Sequence, residues 1–232
     1  MLHPGMQARV PVLVSDRRRR DPHVAMRLLL EELTHRVGGE FAAAIRTISM
    51  AAALTQSDEV KSALAAVQCR LENFARVHGA LRVPEFRTSI DGCAYLRQLC
   101  EAISLSRLQF RGIQLELLER KLEIDSEQCW RLGMIVSELV ANAARHSFVN
   151  PPAHIWVAAA RRGALIWCRV EDTGVASETE SANRGLRIVD ALARELHGEF
   201  EHYHRGAVSV ATVIFPAVCA SDSGFPVARV LR

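Results

Sequence analysis

The sequence predicts an α+β protein in two parts. An N-terminal antiparallel helical hairpin forms a dimeric four-helix bundle, and a layered α/β sandwich follows it. Three observations predict this. Residues 23–83 contain no proline, and their apolar positions recur every three or four residues. Beyond Pro84, short runs that alternate apolar and polar residues interleave with helical stretches, the pattern of strands and helices packed in layers. The composition, 49% hydrophobic and 24% charged over 232 residues, is that of a globular chain able to bury a core.

Taken in order, residues 1–21, with the basic run 17–20, read as a solvated tail. Leu30, Leu33, Val37, Phe41, Ala44, Ile48 and Ala51 draw one helical stripe. The polar break at 55–59 predicts a turn, and Leu64, Val67, Leu71, Phe74, His78 and Leu81 draw a second stripe. A hairpin over 22–83 can bury only one seam per helix by itself, so the pattern predicts pairing with a second copy. Residues 89–106 read as a helix and 113–124 as two short strands. Residues 126–146 read as a helix with Ser126 as N-cap and Glu127 in the first turn. Runs 155–160 and 165–170 form a hairpin about Arg161-Arg162-Gly163. Residues 185–197 form a helix ended by Gly198, and 200–203 with 208–215 form a second hairpin turning at Arg205-Gly206. This second unit occupies 88–217, and 218–232 read as a loose tail.

The net charge of +3 is too small to argue for nucleic acid as a partner. The six cysteines are scattered, with no C-x-x-C pair. Cys100 and Cys168 lie in apolar runs, so the expectation is buried thiols in a reducing compartment. No unbroken apolar run approaches the ~20 residues that span a bilayer, and the N-terminus lacks the pattern of a signal peptide. A cytoplasmic protein without a transmembrane segment is expected.

Two sets of residues carry chemistry. At 100° per residue, His35 sits about 200° from both Leu33 and Val37, on the helix face opposite the apolar stripe. Glu31 and Glu32 precede it, and Gly38 and Gly39 follow it. Each glycine costs about 1 kcal/mol within a helix relative to alanine, which is tolerated where something large must approach the backbone. A neutral imidazole in that setting is a nucleophile whose proton a carboxylate can accept, although an exposed histidine taken alone is more often a plain surface residue. In the second set, Glu138, Asn142 and His146 recur every four residues and so share a helix face. Carboxylate and amide oxygens are hard ligands that suit Mg²⁺. Asp172, at a strand end before Gly174, can accept a hydrogen bond from a ligand amino group. Gly185 opens a predicted helix whose N–H groups favour phosphate.

Residues 31–40, Glu-Glu-Leu-Thr-His-Arg-Val-Gly-Gly-Glu, resemble the H box of the histidine kinases whose phosphoacceptor is followed by arginine. Residues 137–147 are similar to that family's N box, Glu171-Asp172-Thr173-Gly174 to its D-x-G box, and residues 184–189 to its last glycine box. Four motifs in the family's order cover roughly residues 28–216. The resemblance implies a two-component sensor histidine kinase with a GHKL-type (Bergerat) ATP-binding domain. On that basis His35 takes the γ-phosphoryl group of Mg-ATP and passes it to an aspartate on the receiver domain of a response regulator. Glu138 polarises the metal site or the attacking histidine, Asn142 holds Mg²⁺, and Arg145 meets phosphate. Asp172 takes the adenine amino group, and His146, Gly174, Gly185 and Leu186 complete the nucleotide-binding set. The partners implied are a second copy and a response regulator. Three departures stand out: Gly39 replaces a frequent asparagine, Val175-Ala176 replaces a second glycine after Gly174, and the stretch 174–185 is short. They keep open a histidine phosphotransferase or response-regulator phosphatase with a degenerate nucleotide site, and also a pure interaction module.

Overall fold

The computed structural model describes residues 22–84, 87–146, 153–173, 180–206 and 208–218. Helices α1 (Pro22–Leu54) and α2 (Asp58–Ala80) form the expected hairpin. Ser57 caps α2, its hydroxyl accepting from the Val60 N–H at 3.3 Å, with Asp58 and Glu59 in the first turn. Ser49 Oγ donates to Gln68 Oε1 at 3.1 Å, and Phe41 meets the half-buried His78 edge-on at 6.1 Å.

The apolar surface of α1 is wider than the predicted stripe and divides into two seams. Phe41, Ile45 and Ile48 are half-buried along α2, whereas Leu33 (55% exposed), Val37, Met50 and Leu54 are exposed, as are Val60 and Val67 on α2. One seam closes the hairpin and the other stays uncovered, because the apolar surface is wider than a single neighbour can bury. Averaged over its length, the stretch Glu31–Leu54 is also long and apolar enough to cross a membrane, the one such helix among the described residues. Reading unbroken runs does not pick it out, because Glu40 and Arg46 interrupt it.

Past Pro84 come β1 (Ser89–Asp91), α3 (Gly92–Ile103), a π-helical turn (Ser104–Leu108) and a short 3-10 turn (Gln109–Arg111). Strands β2 (Ile113–Leu118) and β3 (Glu123–Asp125) follow, then α4 (Ser126–His146), β4 (Ala153–Arg162) and β5 (Leu165–Asp172). Helix α5 (Glu180–Glu195) and strands β6 (Glu199–Arg205) and β7 (Val208–Pro216) complete the unit. The main sheet has the order β2-β4-β5-β7-β6, parallel between β2 and β4 and antiparallel elsewhere, while β1 and β3 pair separately. The fold is therefore α+β, as the sequence predicts. The core lies between the sheet (Ile155, Val157, Ile166, Val213, Phe215) and the three helices (Leu96, Leu132, Val136, Val189). Cys100, Cys129 and Cys168 are buried in it, and burial pushes each thiol up to about 12.

The end of α2 is held to this unit. Val77 joins the same core. The Tyr95 hydroxyl donates to the Ala80 carbonyl at 3.0 Å, and the Trp130 indole N–H donates to that of Leu81 at 2.8 Å. The two bonds satisfy carbonyls that a helix end leaves without partners.

Three element boundaries differ from expectation, each for a local reason. The predicted helix at 89–106 begins instead as β1, which pairs with the distant β3; Asp91 then caps α3, accepting from the Cys93 and Ala94 N–H groups at 3.0 and 3.1 Å. The cap of α4 is Asp125, which accepts from Glu127 and Gln128 at 3.0 and 3.2 Å, while Ser126 engages the Thr88 backbone instead. Helix α5 starts at Glu180, five residues before Gly185. It ends in a Schellman turn whose left-handed residue is His197 (φ 56°), with N–H bonds from Gly198 to Ala193 and from His197 to Arg194, both 2.9 Å. Gly198 is needed for a different reason, since a Cβ there would overlap the Ile214 carbonyl.

This division of labour predicts opposite effects at neighbouring positions. Gly198→Ala should lower the unfolding free energy by about 2 kcal/mol or more through backbone overlap. His197→Gly should raise it by up to about 1 kcal/mol by relieving the left-handed conformation. Urea denaturation of the two variants checks the order, and the reverse order contradicts the assignment.

Candidate functional site

Helix and strand lengths bring the polar end of α4 to the end of β5. Near the start of α4, Gln128 Nε2 donates at 2.8 Å to the carbonyl of Pro216, which pairs with Leu165, the first residue of β5. From that level α4 rises about 21 Å to Asn142, and β5 rises about 24 Å to Asp172. Both arrive at the same end of the core. Helix α5 runs back along α4, with Arg131 Nε on Glu195 Oε2 at 3.1 Å at one end and Gly185 against Glu138 at the other.

One face of α4 is fully buried (Leu132, Ile135, Val136, Val140 all 0% exposed). Glu138 and Asn142 lie off that face, one turn apart and half-buried. Arg145 is exposed and donates Nη2 to Glu138 Oε1 at 3.1 Å. The Asn142 Oδ1 atom is buried and accepts no hydrogen bond among the described residues, which in a closed protein core costs about 1–3 kcal/mol. An unpaired amide oxygen beside a carboxylate fits Mg²⁺, which binds one or two protein oxygens and completes its shell with water and phosphate. Among the described residues no group of three or more His, Cys, Asp or Glu side chains could hold a metal unaided.

Asp172 is buried at the end of β5, on the inner face of the sheet, opposite Ser209 of β7, which is itself opposite His204 of β6. Gly185 is buried, and a Cβ on it would lie 2.6 Å from Glu138 Oε1. The expectation that Gly185 opens a helix and offers it to phosphate is corrected: the N-terminus of α5 lies at Glu180, and Gly185 lets α5 close on Glu138. Leu186 is half-buried and packs on the core. His146 lies in the last turn of α4. Its side chain, and Gly174, fall outside the described residues.

His35 is exposed on α1, as predicted. Cβ atoms added at Gly38 or Gly39 would meet nothing within 4 Å, so no packing among the described residues demands those glycines. The Ser49–Gln68 and Phe41–His78 contacts set the two helices level. Extending that pairing puts His35 opposite the residues just after α2, where the chain enters the second unit.

Sequence reasoning missed Arg107. The π-helical turn places its guanidinium 5.3 Å from the Phe74 ring centre on α2, while Arg70 of α2 lies 4.0 Å over Phe110. Burial lowers the Arg107 pKa, with Glu138 opposing the shift and Arg145 adding to it. Arg107 thus faces both the hairpin and the polar end of α4. A π-turn has no spacing signature, and a basic residue near the end of an amphipathic run is all the sequence displays.

Residues 32–107 match the model of a family described as histidine kinase. No curated protein matches the sequence. The histidine kinase domain of the Erythrobacter litoralis EL346 blue-light activated histidine kinase is similar in structure at 20% identity, with a TM-score of 0.54, covering 84% of this chain and 96% of that one. A longer EL346 structure aligns at 19% identity and a TM-score of 0.50, covering 79% of this chain and 60% of that one. The likeness to these structures is one of fold, and the resemblance to sensor histidine kinases read from the sequence holds.

His202 offers a check on the polar end of the sheet. Its Nε2 lies 3.1 Å from Ser209 Oγ, and its ring meets His204 edge-on at 5.1 Å. Burial, then His204, lowers its pKa, with Asp172 opposing. The folded state therefore resists protonating a group that the unfolded chain protonates below about pH 6.5. Stability is retained above that pH and lost as pH falls through it toward the lower folded-state value. The fall in urea-unfolding free energy from pH 7.5 to 5.5 should be smaller in His202→Gln than in the parent, and an equal fall contradicts the placement.

Proposed function

We propose that this chain is an ATP-dependent protein-histidine kinase that acts as a homodimer. His35 accepts the γ-phosphoryl group of ATP and delivers it to an aspartate on a response-regulator receiver domain. The family match over 32–107 and the histidine kinase fold support the general assignment. The finer one rests above all on the unpaired Asn142 oxygen, held at the same end of the core as the buried Asp172.

In this reading the Asp172 carboxylate accepts a hydrogen bond from the adenine amino group. Asn142 Oδ1 would hold Mg²⁺, which supplies neutralising charge to phosphate oxygens when bound. Arg145 is exposed and, among the described residues, tethered to Glu138, so it can turn to a phosphate. That exchange leaves the Glu138 carboxylate, close against Gly185, to take the proton of the attacking imidazole or to orient it. The bare surface over Gly38 and Gly39 lets the second unit come up to His35. Catalysis is then mostly positioning and charge neutralisation. The uncovered seam of Leu33, Val37, Met50, Leu54, Val60 and Val67 is the surface a second copy would cover. The alternative, a phosphotransferase or phosphatase with a degenerate nucleotide site, draws on the short 174–185 stretch; the polar oxygen left unpaired at Asn142 favours a working site. We place the protein in the cytoplasm, supported by the scattered thiols, which form no pair among the described residues.

Incubation with Mg²⁺ and γ-labelled ATP should give an acid-labile, base-stable label on the parent chain and none on His35→Ala. Equal labelling of His35→Ala excludes the assignment of the acceptor. Asn142→Ala should lower labelling by about 10- to 100-fold, in line with lost metal affinity. Gly185→Ala displaces only the flexible end of Glu138, so stability should stay within about 1 kcal/mol while labelling falls. Retained labelling in Gly185→Ala contradicts the role given to Glu138.

A further inference from the structure

The inner face of the sheet is apolar along its middle and turns polar at the Asp172 end. Val170, Ala211 and Val213 are buried there. In the last row Asp172, Ser209 and His204 stand opposite one another on β5, β7 and β6, and His202 lies one row inward, diagonal to Ser209. Side chains opposite one another on antiparallel strands lie about 4.5–5.5 Å apart, and diagonal pairs are within reach of long or aromatic groups. Exposure rises along the row from the buried Asp172 through the half-buried Ser209 to the exposed His204. His202 Nε2 sits 3.1 Å from Ser209 Oγ, and either ring tautomer permits that bond.

We propose that His202 is a positioning residue for base recognition, setting the Ser209 hydroxyl beside Asp172 so that the pair reads the Watson–Crick edge of adenine and rejects that of guanine. The inference rests on the proposed ATP site, with Asp172 as its base acceptor. If His202 carries its proton at Nδ1, Nε2 accepts the Ser209 O–H. Ser209 can then only accept, and two acceptors face the base. If the proton is on Nε2, His202 donates to Ser209 Oγ and the Ser209 O–H is free to donate outward. The site then presents an acceptor next to a donor. That complements adenine, whose edge offers an amino donor beside the N1 acceptor, and opposes guanine, whose edge offers the O6 acceptor beside the N1–H donor. Among the described residues, His204, edge-on at 5.1 Å, and Asp172 are the titratable groups facing His202 from the neighbouring positions. The bound state is therefore one in which His202 holds a proton on Nε2. Its action on the base is indirect, through the Ser209 hydroxyl.

Isothermal titration of the full chain with Mg-ADP and with Mg-GDP tests this. The parent should bind ADP at least about tenfold more tightly than GDP, the discrimination expected of one correctly paired buried hydrogen bond. His202→Ala should weaken ADP binding by about five- to tenfold and leave GDP unchanged, narrowing the ratio. Ser209→Ala should do the same, and the double variant should lose no more than Ser209→Ala alone, because both act through one hydroxyl. His202→Gln, whose amide N–H can replace Nε2–H, should keep most of the ADP preference. Parent binding to ADP with an unchanged ratio in His202→Ala, or additive losses in the double variant, overturns the role of His202 and leaves the nucleotide site standing. Failure of the parent to bind either nucleotide overturns the underlying site, and this inference with it.

Discussion

Helix α4 is bound on both sides, and the geometry of the candidate site follows from that constraint. Its apolar face must stay in the core, where Leu132, Ile135, Val136 and Val140 are wholly buried. The clamp from Gln128 to the carbonyl of Pro216 and the N–H of Val218 fixes its start against the sheet. With one face and one end fixed, the helix repeat leaves Glu138 and Asn142 no freedom over where they emerge. They come out at the end of β5, where Asp172 also stands, and α5 closes on Glu138 because residue 185 has no side chain. Beside it, the buried Asn142 Oδ1 has no hydrogen-bond partner among the described residues. Natural cores seldom keep such a group, and in the proposed function the bound metal would complete it.

The hairpin and the layered unit are joined by small, separate terms. Tyr95 and Trp130 donate to the last carbonyls of α2, and Arg107 over Phe74 and Arg70 over Phe110 form a reciprocal pair across the seam. Cation–π contacts of this kind contribute about 0.5–2 kcal/mol each. The charges of Glu138 and Arg145 act on Arg107 in opposite directions. The exposed seam and the side-chain-free surface over Gly38 and Gly39 are what the proposed second copy and the approaching second unit would cover.

Much of this was legible in the sequence where the signal is local. Helical spacing located both hairpin helices and α4, alternation located four strands, and the wheel placed His35 on the outside. What failed was non-local or stereochemical. The pairings of β1 with β3 and of β2 with β4 link residues far apart in the chain, so the strand at 89–91 was absorbed into a predicted helix. Asp125 and Ser126 are both competent caps, and only the Thr88 contact decides between them. Gly185 reads as the start of a helix, and only the position of Glu138 shows it to be a place of close packing. The four-residue spacing of Glu138 and Asn142 was visible, but that Asn142 Oδ1 lacks a partner depends on everything packed around it. The Ser209–His202 pair arises from strand register, which no local pattern specifies.

The most direct measurement is a crystal structure of the dimer with Mg²⁺ and a non-hydrolysable ATP analogue. The expected result is an adenine on Asp172, a metal ion on Asn142 Oδ1, Arg145 turned from Glu138 to phosphate, and His35 on the outside of a four-helix bundle. An empty, collapsed cleft between residues 138, 142 and 172, with His35 packed inside the dimer, would contradict it.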